Sequence, residues 1–151
     1  MKLEDAIKTS KFTNAKHKAT LNLMYSTYWL KTHLNNTLKS FDITAEQYNV
    51  LRILRGKHPE SQCVKEIGSR MLEKSSNVPR IIDRLVTKKL VKRTTSKLDK
   101  RETLIAITEK GLSLLDEASK LAEKQSDEIF GLTNEEAEVL NGLLEKMRKI
   151  D

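Results

Sequence analysis

A helical pattern followed directly by two short β-prone runs constrains the fold of this chain more than any other feature. Residues 75–90 (SSNVPRIIDRLVTKKL) repeat apolar side chains at spacings of three and four, which places those side chains on one face of a helix. Residues 91–107 (VKRTTSKLDKRETLIAI) contain two strand-like runs, 91–95 and 103–107, around a polar, charged turn. A helix followed by a basic hairpin is the arrangement of a winged helix.

The same region concentrates the positive charge of the chain. Residues 74–101 hold ten of the twenty-eight Lys and Arg residues but only two of the twenty-one acidic residues, Asp83 and Asp99, so the segment carries ten minus two, or +8, against +7 for the whole chain. Such a field favours a polyanion, because each Lys or Arg that neutralises a phosphate releases condensed counterions. The alternative interpretation is ordinary solvated charges at Arg84, Lys88, Lys92 and Lys97. The scarcity of acidic residues favours nucleic-acid binding.

Three helices are predicted before this region. Residues 9–39 lack Gly and Pro and repeat Leu with helical period, which predicts one long helix. Thr44 and Gln47 form the capping-box pattern Thr-x-x-Gln, which predicts the start of a second helix. A short third helix is expected from Cys63 to about Leu72. Two helices in tight succession, the second with an exposed polar face, form a helix-turn-helix.

Two further amphipathic helices are predicted after the hairpin. The first begins at Thr108 and is closed by Gly131, and the second begins at the capping box of Thr133 and Glu136. Long amphipathic helices at both ends exceed what a compact winged helix needs. Their surplus apolar faces predict burial against a second copy of the chain, and we therefore expect a homodimer.

The expected fold is mainly α, an α+β winged helix with about six helices and a two- or three-stranded β-wing. Residues 1–151 are expected to form a single chain unit, as is usual for this length. Within it, residues 42–107 are expected to form a winged helix-turn-helix DNA-binding lobe. The helices of residues 9–39 and 108–151 are expected to form the dimerisation lobe.

Several classes of function are not expected from the sequence. No run of about eighteen apolar residues and no cleavable leader is found, so we expect a cytoplasmic protein without a membrane partner. Cys63 is the single cysteine, and His17, His33 and His58 lie too far apart to suggest a metal cluster. No nucleophile with a base, carboxylate pair or phosphate loop is evident, so we expect neither an enzyme nor a cofactor.

Motifs spread over most of the chain resemble those of the MarR family of bacterial transcription regulators. They are F-x-I-T-x-x-Q-x-x-V-L-x-x-L at 41–54, K-E-I at 65–67, R-x-I-D-R-L at 80–85, L-V-x-R at 90–93 and D-K-R-E-T-L-I-A-I-T-E-K-G at 99–111. The resemblance implies a dimeric regulator, more often a repressor than an activator, that binds a pseudo-palindromic operator in double-stranded DNA. It also implies release of the operator when a small ligand or an oxidant acts on the dimer.

The resemblance implies roles for particular residues. The start of the recognition helix, where family members contact phosphates and base edges, is matched by Ser75, Ser76, Asn77 and Arg80. Arg101 matches the wing-tip arginine that enters the minor groove. Asp99 matches the acid that holds this arginine. The predicted DNA-binding residues are Ser75, Ser76, Asn77, Arg80, Arg84, Arg93, Lys97, Asp99, Lys100 and Arg101.

Two residues depart from the family pattern. Lys89 stands where the family usually has Gly in the turn after the recognition helix. A non-Gly residue in left-handed geometry costs about 1–2 kcal/mol, so a reshaped turn is expected. Pro79 lies inside the recognition helix, which favours a cap at Ser76 or Asn77 over Ser75, because proline fits best where its missing N–H would be unpaired in any case.

An effector site is a further prediction. Tyr25, Tyr28, Trp29 and His33 lie on the first long helix, where the family often lines an effector pocket, and a small aromatic or phenolic effector would suit them. Aromatic residues at helical spacing are more often core or interface, and this alternative stays open. Cys63 does not match the N-terminal cysteine of the family's peroxide sensors, so we interpret it as a structural thiol.

The main alternative function is a winged-helix module that binds protein or RNA without recognising an operator. The retention of Arg80, Arg84 and Arg101 beside polar residues suited to groove contacts favours the regulator of transcription.

Overall fold

The computed structural model describes residues 1–74, 77–96 and 100–148. These residues form seven α-helices, one 3-10 helix and three short strands, which confirms a mainly α winged helix with one α-helix more than expected. The elements are α1 (Leu3–Ile7), α2 (Ala15–Leu38), the 3-10 helix (Lys39–Phe41), α3 (Ala45–Arg55), β1 (Gln62–Cys63), α4 (Val64–Arg70), α5 (Val78–Thr87), β2 (Val91–Thr95), β3 (Thr103–Ile107), α6 (Glu109–Ile129) and α7 (Asn134–Met147).

The predicted first helix begins later than expected. Lys8 ends the short helix α1 in left-handed backbone geometry, with φ of 53°. The Asn14 side chain then accepts a hydrogen bond from the His17 N–H (2.9 Å) and starts α2. The prediction of one helix over residues 9–39 is therefore wrong at its N-terminal end, because a local cap overrides an uninterrupted run of helix-forming residues.

The helix-turn-helix begins at α3. The capping box at its start is confirmed: Thr44 Oγ1 accepts from the Gln47 N–H (3.2 Å), and Gln47 Oε1 accepts from the Thr44 N–H (3.1 Å). The third helix, α4, is shorter than the predicted Cys63–Leu72 segment, because Cys63 belongs to β1 and serves as the N-cap of α4. Leu51 of α3 and Ile67 of α4 are both fully buried in the core.

Three antiparallel strands form the sheet in the order β1-β3-β2. The hairpin register pairs Val91 with Ile107 at its base and Thr95 with Thr103 near its tip. β1 adds the third strand by pairing Gln62 with Ile105. The predicted hairpin strands are confirmed at both ends, and the wing has the larger of the two expected strand numbers.

The core fills the space between the helix-turn-helix, the sheet and α6. Each large apolar side chain that is fully buried contributes about 1.5–3 kcal/mol relative to exposure. Those with the lowest exposure are Leu38, Val50, Leu51, Leu54, Ile67, Ile82, Leu85, Leu90, Ile105 and Leu115.

The fifth predicted helix, α6, packs its first turn against the start of β2. Thr108 Oγ1 accepts from the Gly111 N–H (3.1 Å), which confirms the predicted start. A Cβ atom on Gly111 would lie 2.2 Å from the Leu90 carbonyl oxygen, so only glycine permits this approach. α6 ends at Ile129 with Phe130 as its C-cap, so Gly131 lies beyond the cap and does not itself close the helix.

The terminal helices carry most of the large apolar side chains that the core leaves exposed. α7 begins at the predicted capping box of Thr133 and Glu136 and has no buried residue. Among the described residues, no helix combines the length and apolarity needed to cross a membrane. The exposed large apolar side chains of α2 and of the α6–α7 region are Met24, Tyr28, Leu30, Phe130, Leu132, Val139, Leu143 and Met147.

Candidate nucleic-acid interface

The basic helix α5 presents two different faces. Ile82 and Leu85 are fully buried in the core. With about 3.6 residues per turn, Arg80 and Thr87 lie near the centre of the opposite, exposed face. The helix is thus fixed through one face while the other is open to a partner.

The helix α5 begins late in the basic segment, at Val78, as the position of Pro79 predicts. Asn77 is the N-cap, and Pro79 occupies the second helical position, where a backbone N–H would lack a helical partner. Asn77 is exposed. The predicted contacts Ser75 and Ser76 lie outside the described residues.

The turn after α5 keeps left-handed geometry although it lacks glycine. Lys89 has φ of 61°. The Lys89 N–H donates to the Val86 carbonyl (2.8 Å) and the Leu90 N–H to the Leu85 carbonyl (3.0 Å), the two bonds of a Schellman motif. The expectation of a reshaped turn is therefore wrong. Thr108 Oγ1 also donates to the Lys89 carbonyl (2.8 Å), so α6 supports the strained residue.

An ion pair joins the recognition helix to the wing. Arg93 of β2 donates through Nη2 to Asp83 Oδ1 of α5, and both side chains remain partly exposed. Asp83 and Arg84 flank the centre of the exposed α5 face on opposite sides. Arg93, predicted to contact DNA, is thus also placed to fix the angle between α5 and the hairpin.

The wing tip is described only in part. Lys97 and Asp99 lie outside the described residues, so the predicted pairing of Asp99 with Arg101 does too. Lys100 and Arg101 are exposed in the turn that precedes β3. The Ser96 N–H donates to the Glu102 carbonyl (2.9 Å), which closes the hairpin below the tip.

The linker between α4 and α5 is held at residues 72 and 73 by contacts with α2 and α3. Lys31 of α2 donates to both carboxylate oxygens of Glu73 (2.8 and 2.9 Å) and lies 3.3 Å from Glu46. The Leu72 N–H donates to Asn49 Oδ1 of α3 (3.0 Å). Sequence reasoning missed this set, because the Lys31 and Glu73 partners lie 42 residues apart and no local pattern joins them.

These contacts also shift two protonation equilibria. Hydrogen bonding to Glu73 raises the pKa of Lys31, against the opposing effect of burial. The pKa of Glu46 is lowered first by its own backbone N–H, and also by the Thr44 hydroxyl and Lys31. Both shifts favour the charged forms of Lys31 and Glu46, which strengthens the ion pair between them.

The four aromatic residues predicted to bind an effector do not share one cavity. Tyr25 and Trp29 line a cavity of about 280 Å³ together with Leu3 of α1. His33 packs edge-on against Trp29, with ring centroids 4.6 Å apart, but lines another cavity of about 190 Å³ between α2 and α6. Tyr28 is 67% exposed and lines neither of these cavities.

Sequence reasoning did not locate another cavity, of about 240 Å³, between α2, α3 and the linker. Leu34, Tyr48 and Met71 contribute to its apolar lining, and Lys31 and Arg52 contribute charge. These residues come from three separate parts of the chain, so no single motif indicates the cavity.

Cys63 is the N-cap residue of α4. It is half-buried, and its N–H donates to Glu66 Oε2 (3.0 Å) at the start of α4. Among the described residues, no group of three or more His, Cys, Asp or Glu side chains is arranged to hold a metal ion.

Comparison with known proteins shows which family this chain matches. Residues 32–118, more than half of the chain, match the family described as transcriptional regulator SarA/Rot. The HTH-type transcriptional regulator MhqR of Bacillus subtilis is 29% identical over 119 residues, covering 78% of this chain and 81% of MhqR.

Solved structures agree with the family match. A mutant MarR from E. coli, complexed with operator DNA, superposes with a TM-score of 0.78 at 26% identity and covers 92% of this chain and 99% of MarR. MepR of S. aureus in a DNA complex superposes with a TM-score of 0.75 at 25% identity, covering 91% and 97%. The family and these relatives are regulators rather than enzymes. The chain therefore belongs to the SarA/Rot family of transcriptional regulators and has the winged-helix fold of the MarR proteins.

Proposed function

We propose that the protein binds a pseudo-palindromic operator in double-stranded DNA as a homodimer and acts as a repressor. The observation that carries the proposal is α5, whose core face is buried while Arg80, Arg84 and Thr87 stand exposed. In a dimer, two such helices enter successive major grooves about 34 Å apart, and the wings reach the flanking minor grooves. The solved structures of MarR with operator DNA and of MepR with DNA support the binding of DNA by this chain.

The homodimer rests on the exposed apolar surface of the terminal helices. Val139, Leu143 and Met147 recur every four residues on α7 and are 64%, 60% and 53% exposed. An apolar stripe of this length on a soluble chain marks an interface. The proposed dimerisation lobe comprises α2, α6 and α7, and the DNA-binding lobe lies between them in sequence.

We also propose that a small aromatic or phenolic effector releases the operator. The cavity beside Tyr25 and Trp29 offers two aromatic surfaces, in keeping with such a ligand. Release requires that the effector bind more tightly to a dimer whose recognition helices are wrongly spaced for the operator. Tyr28 and His33, which lie outside that cavity, are less suited to this role.

Binding of the purified protein to fragments of its own upstream region, compared with random duplex over a salt series, tests the proposal. We expect selective binding to one fragment and a steep salt slope, because several phosphates are neutralised at once. Equal, weak binding to both duplexes would reduce the function to charge-driven association and would favour a protein- or RNA-binding module.

A further inference from the structure

A basic cleft lies beside α5, and it combines Arg84, a predicted DNA contact, with Lys39, which is not one of the predicted contacts. It is a cavity of about 380 Å³ between the C-terminal end of α5 and the junction of α2 with α3. Lys39, from the 3-10 helix that follows α2, lies on one side, and Arg84, Thr87 and Lys88 lie on the other. Asp42 and Thr44 line it between them.

The cleft carries excess positive charge. Lys88 Nζ lies 3.0 Å from Asp42 Oδ2 and also donates to the Asp42 carbonyl, so one cation is matched. For Lys39 and Arg84, no carboxylate of the described residues lies within ion-pair distance. Within the described part of the chain, these two exposed cations are therefore left to bind an anion from outside.

Two backbone donors at the start of α3 already have partners. The Ala45 N–H donates to Asn35 Oδ1 (3.0 Å), and the Gln47 N–H donates to Thr44 Oγ1 (3.2 Å). An anion in the basic cleft is consequently held by side chains, chiefly Lys39 and Arg84, rather than by the helix terminus.

The position of the cleft beside the exposed face of α5 indicates which anion it binds. Arg84 and Thr87 line the cleft and also belong to the exposed face of α5, which carries Arg80 at its centre. Under the proposed function α5 lies in a major groove, so the phosphate backbones that border this groove pass beside the helix. We infer that the basic cleft binds a backbone phosphate of duplex DNA, with Lys39 as a contact outside the recognition helix and the wing; this inference rests on the proposed function.

The contact has a consequence for regulation. Lys39 follows directly on α2, whereas Arg84 belongs to α5, so one phosphate is held by residues from both proposed lobes. Phosphate contacts fix the orientation of a protein on the duplex without reading the sequence. DNA therefore binds most tightly when the end of α2 and the end of α5 keep the separation seen here.

Lys39→Ala tests the inference through the salt dependence of binding. Fluorescence anisotropy on the selected upstream fragment and on random duplex gives the slope of log affinity against log salt. We expect the slope to fall by about 0.9 for each lost contact, or about 1.8 for a dimer, with the ratio between the two duplexes unchanged. Lys16→Ala makes the same charge change about 34 Å away along α2 and should leave the slope as in the wild type.

An unchanged slope in Lys39→Ala, or a loss of the ratio between the duplexes, would overturn the inference. The operator proposal and the phosphate contact of Lys39 can be contradicted independently of each other. If the wild type does not discriminate the upstream fragment, the operator proposal fails, yet the slope on random duplex still decides whether Lys39 contacts a phosphate.

Asp42→Asn provides a test by gain of binding. It removes the negative charge from the basic cleft, and asparagine tolerates the left-handed geometry of residue 42, where φ is 53°. Affinity for both duplexes should rise by about two- to fivefold per protomer, the range expected for one surface charge in each copy of the cleft. Equal or weaker binding would contradict a phosphate in the cleft.

Discussion

Lys89 adopts left-handed backbone geometry in the turn from α5 to β2, at a position that glycine occupies with less strain. We expect Lys89→Gly to raise the free energy of unfolding by about 0.5–1 kcal/mol, because the relief of strain exceeds the added entropy of the unfolded chain. Urea unfolding followed by circular dichroism measures the change.

A matched control should change in the opposite direction. Lys120 is exposed within α6, where a glycine lowers stability by about 0.5–1 kcal/mol. If Lys89→Gly destabilises the protein as much as Lys120→Gly does, the turn carries no strain that glycine relieves.

Arg80 lies near the centre of the exposed α5 face, the position best placed to reach base edges in a major groove. Arg80→Ala should reduce discrimination between operator and unrelated DNA by about 10- to 100-fold, which corresponds to about 1–3 kcal/mol. Competition binding with both duplexes measures this discrimination. A uniform loss of affinity for both duplexes would make Arg80 a phosphate contact. Arg55→Ala is the control, because the Arg55 guanidinium pairs with Asp116.

At the scale of elements, the ion pair of Asp83 with Arg93 joins α5 to the wing and is placed to orient one against the other. A double-mutant cycle separates this role from direct DNA contact. If the pair acts by positioning, Arg93→Ala weakens operator binding in the wild type but costs little further in the Asp83→Ala background. Operator affinity of the four proteins is measured by anisotropy. An equal loss in both backgrounds would show that Arg93 contacts DNA independently of Asp83.

The elements that local patterns specify were predicted well. The capping boxes at Thr44 and Thr133 and the strand of residues 91–95 depend on neighbouring residues, and each is present. β1 was not predicted, because its pairing of Gln62 with Ile105 joins residues distant in sequence. Long-range pairing leaves no periodic signal in so short a strand.

The candidate interface was predicted from charge density and from the family motifs, which identified the face of α5. Lys39 was missed because it lies outside the basic segment and enters the interface only through the junction of α2 with α3. The aromatic residues of α2 were grouped by helical spacing, but α1 covers only some of them: Tyr25 and Trp29 line a cavity with Leu3, whereas Tyr28 remains exposed.

At the scale of the whole molecule, the exposed stripe of α7 is the surface that a second copy should cover. Leu143→Glu places a charge in this stripe, so burial in a dimer would require desolvation of the carboxylate. We expect a shift towards monomer in sedimentation equilibrium and at least a tenfold loss of operator affinity, since a monomer holds one half-site only.

Asn141 lies on the opposite side of α7 and is exposed, so Asn141→Glu adds the same charge without entering the stripe. This control should sediment and bind DNA as the wild type does. If Leu143→Glu also remains dimeric, the dimer uses a different surface.

The most direct measurement is a methylation-interference footprint on the selected operator, since it reports which guanines are contacted in the major groove. Two dyad-related tracts centred about 10–10.5 base pairs apart are predicted, because the two α5 helices of a dimer occupy successive major grooves. A single tract, or tracts without dyad symmetry, would contradict the account of a homodimeric winged-helix regulator.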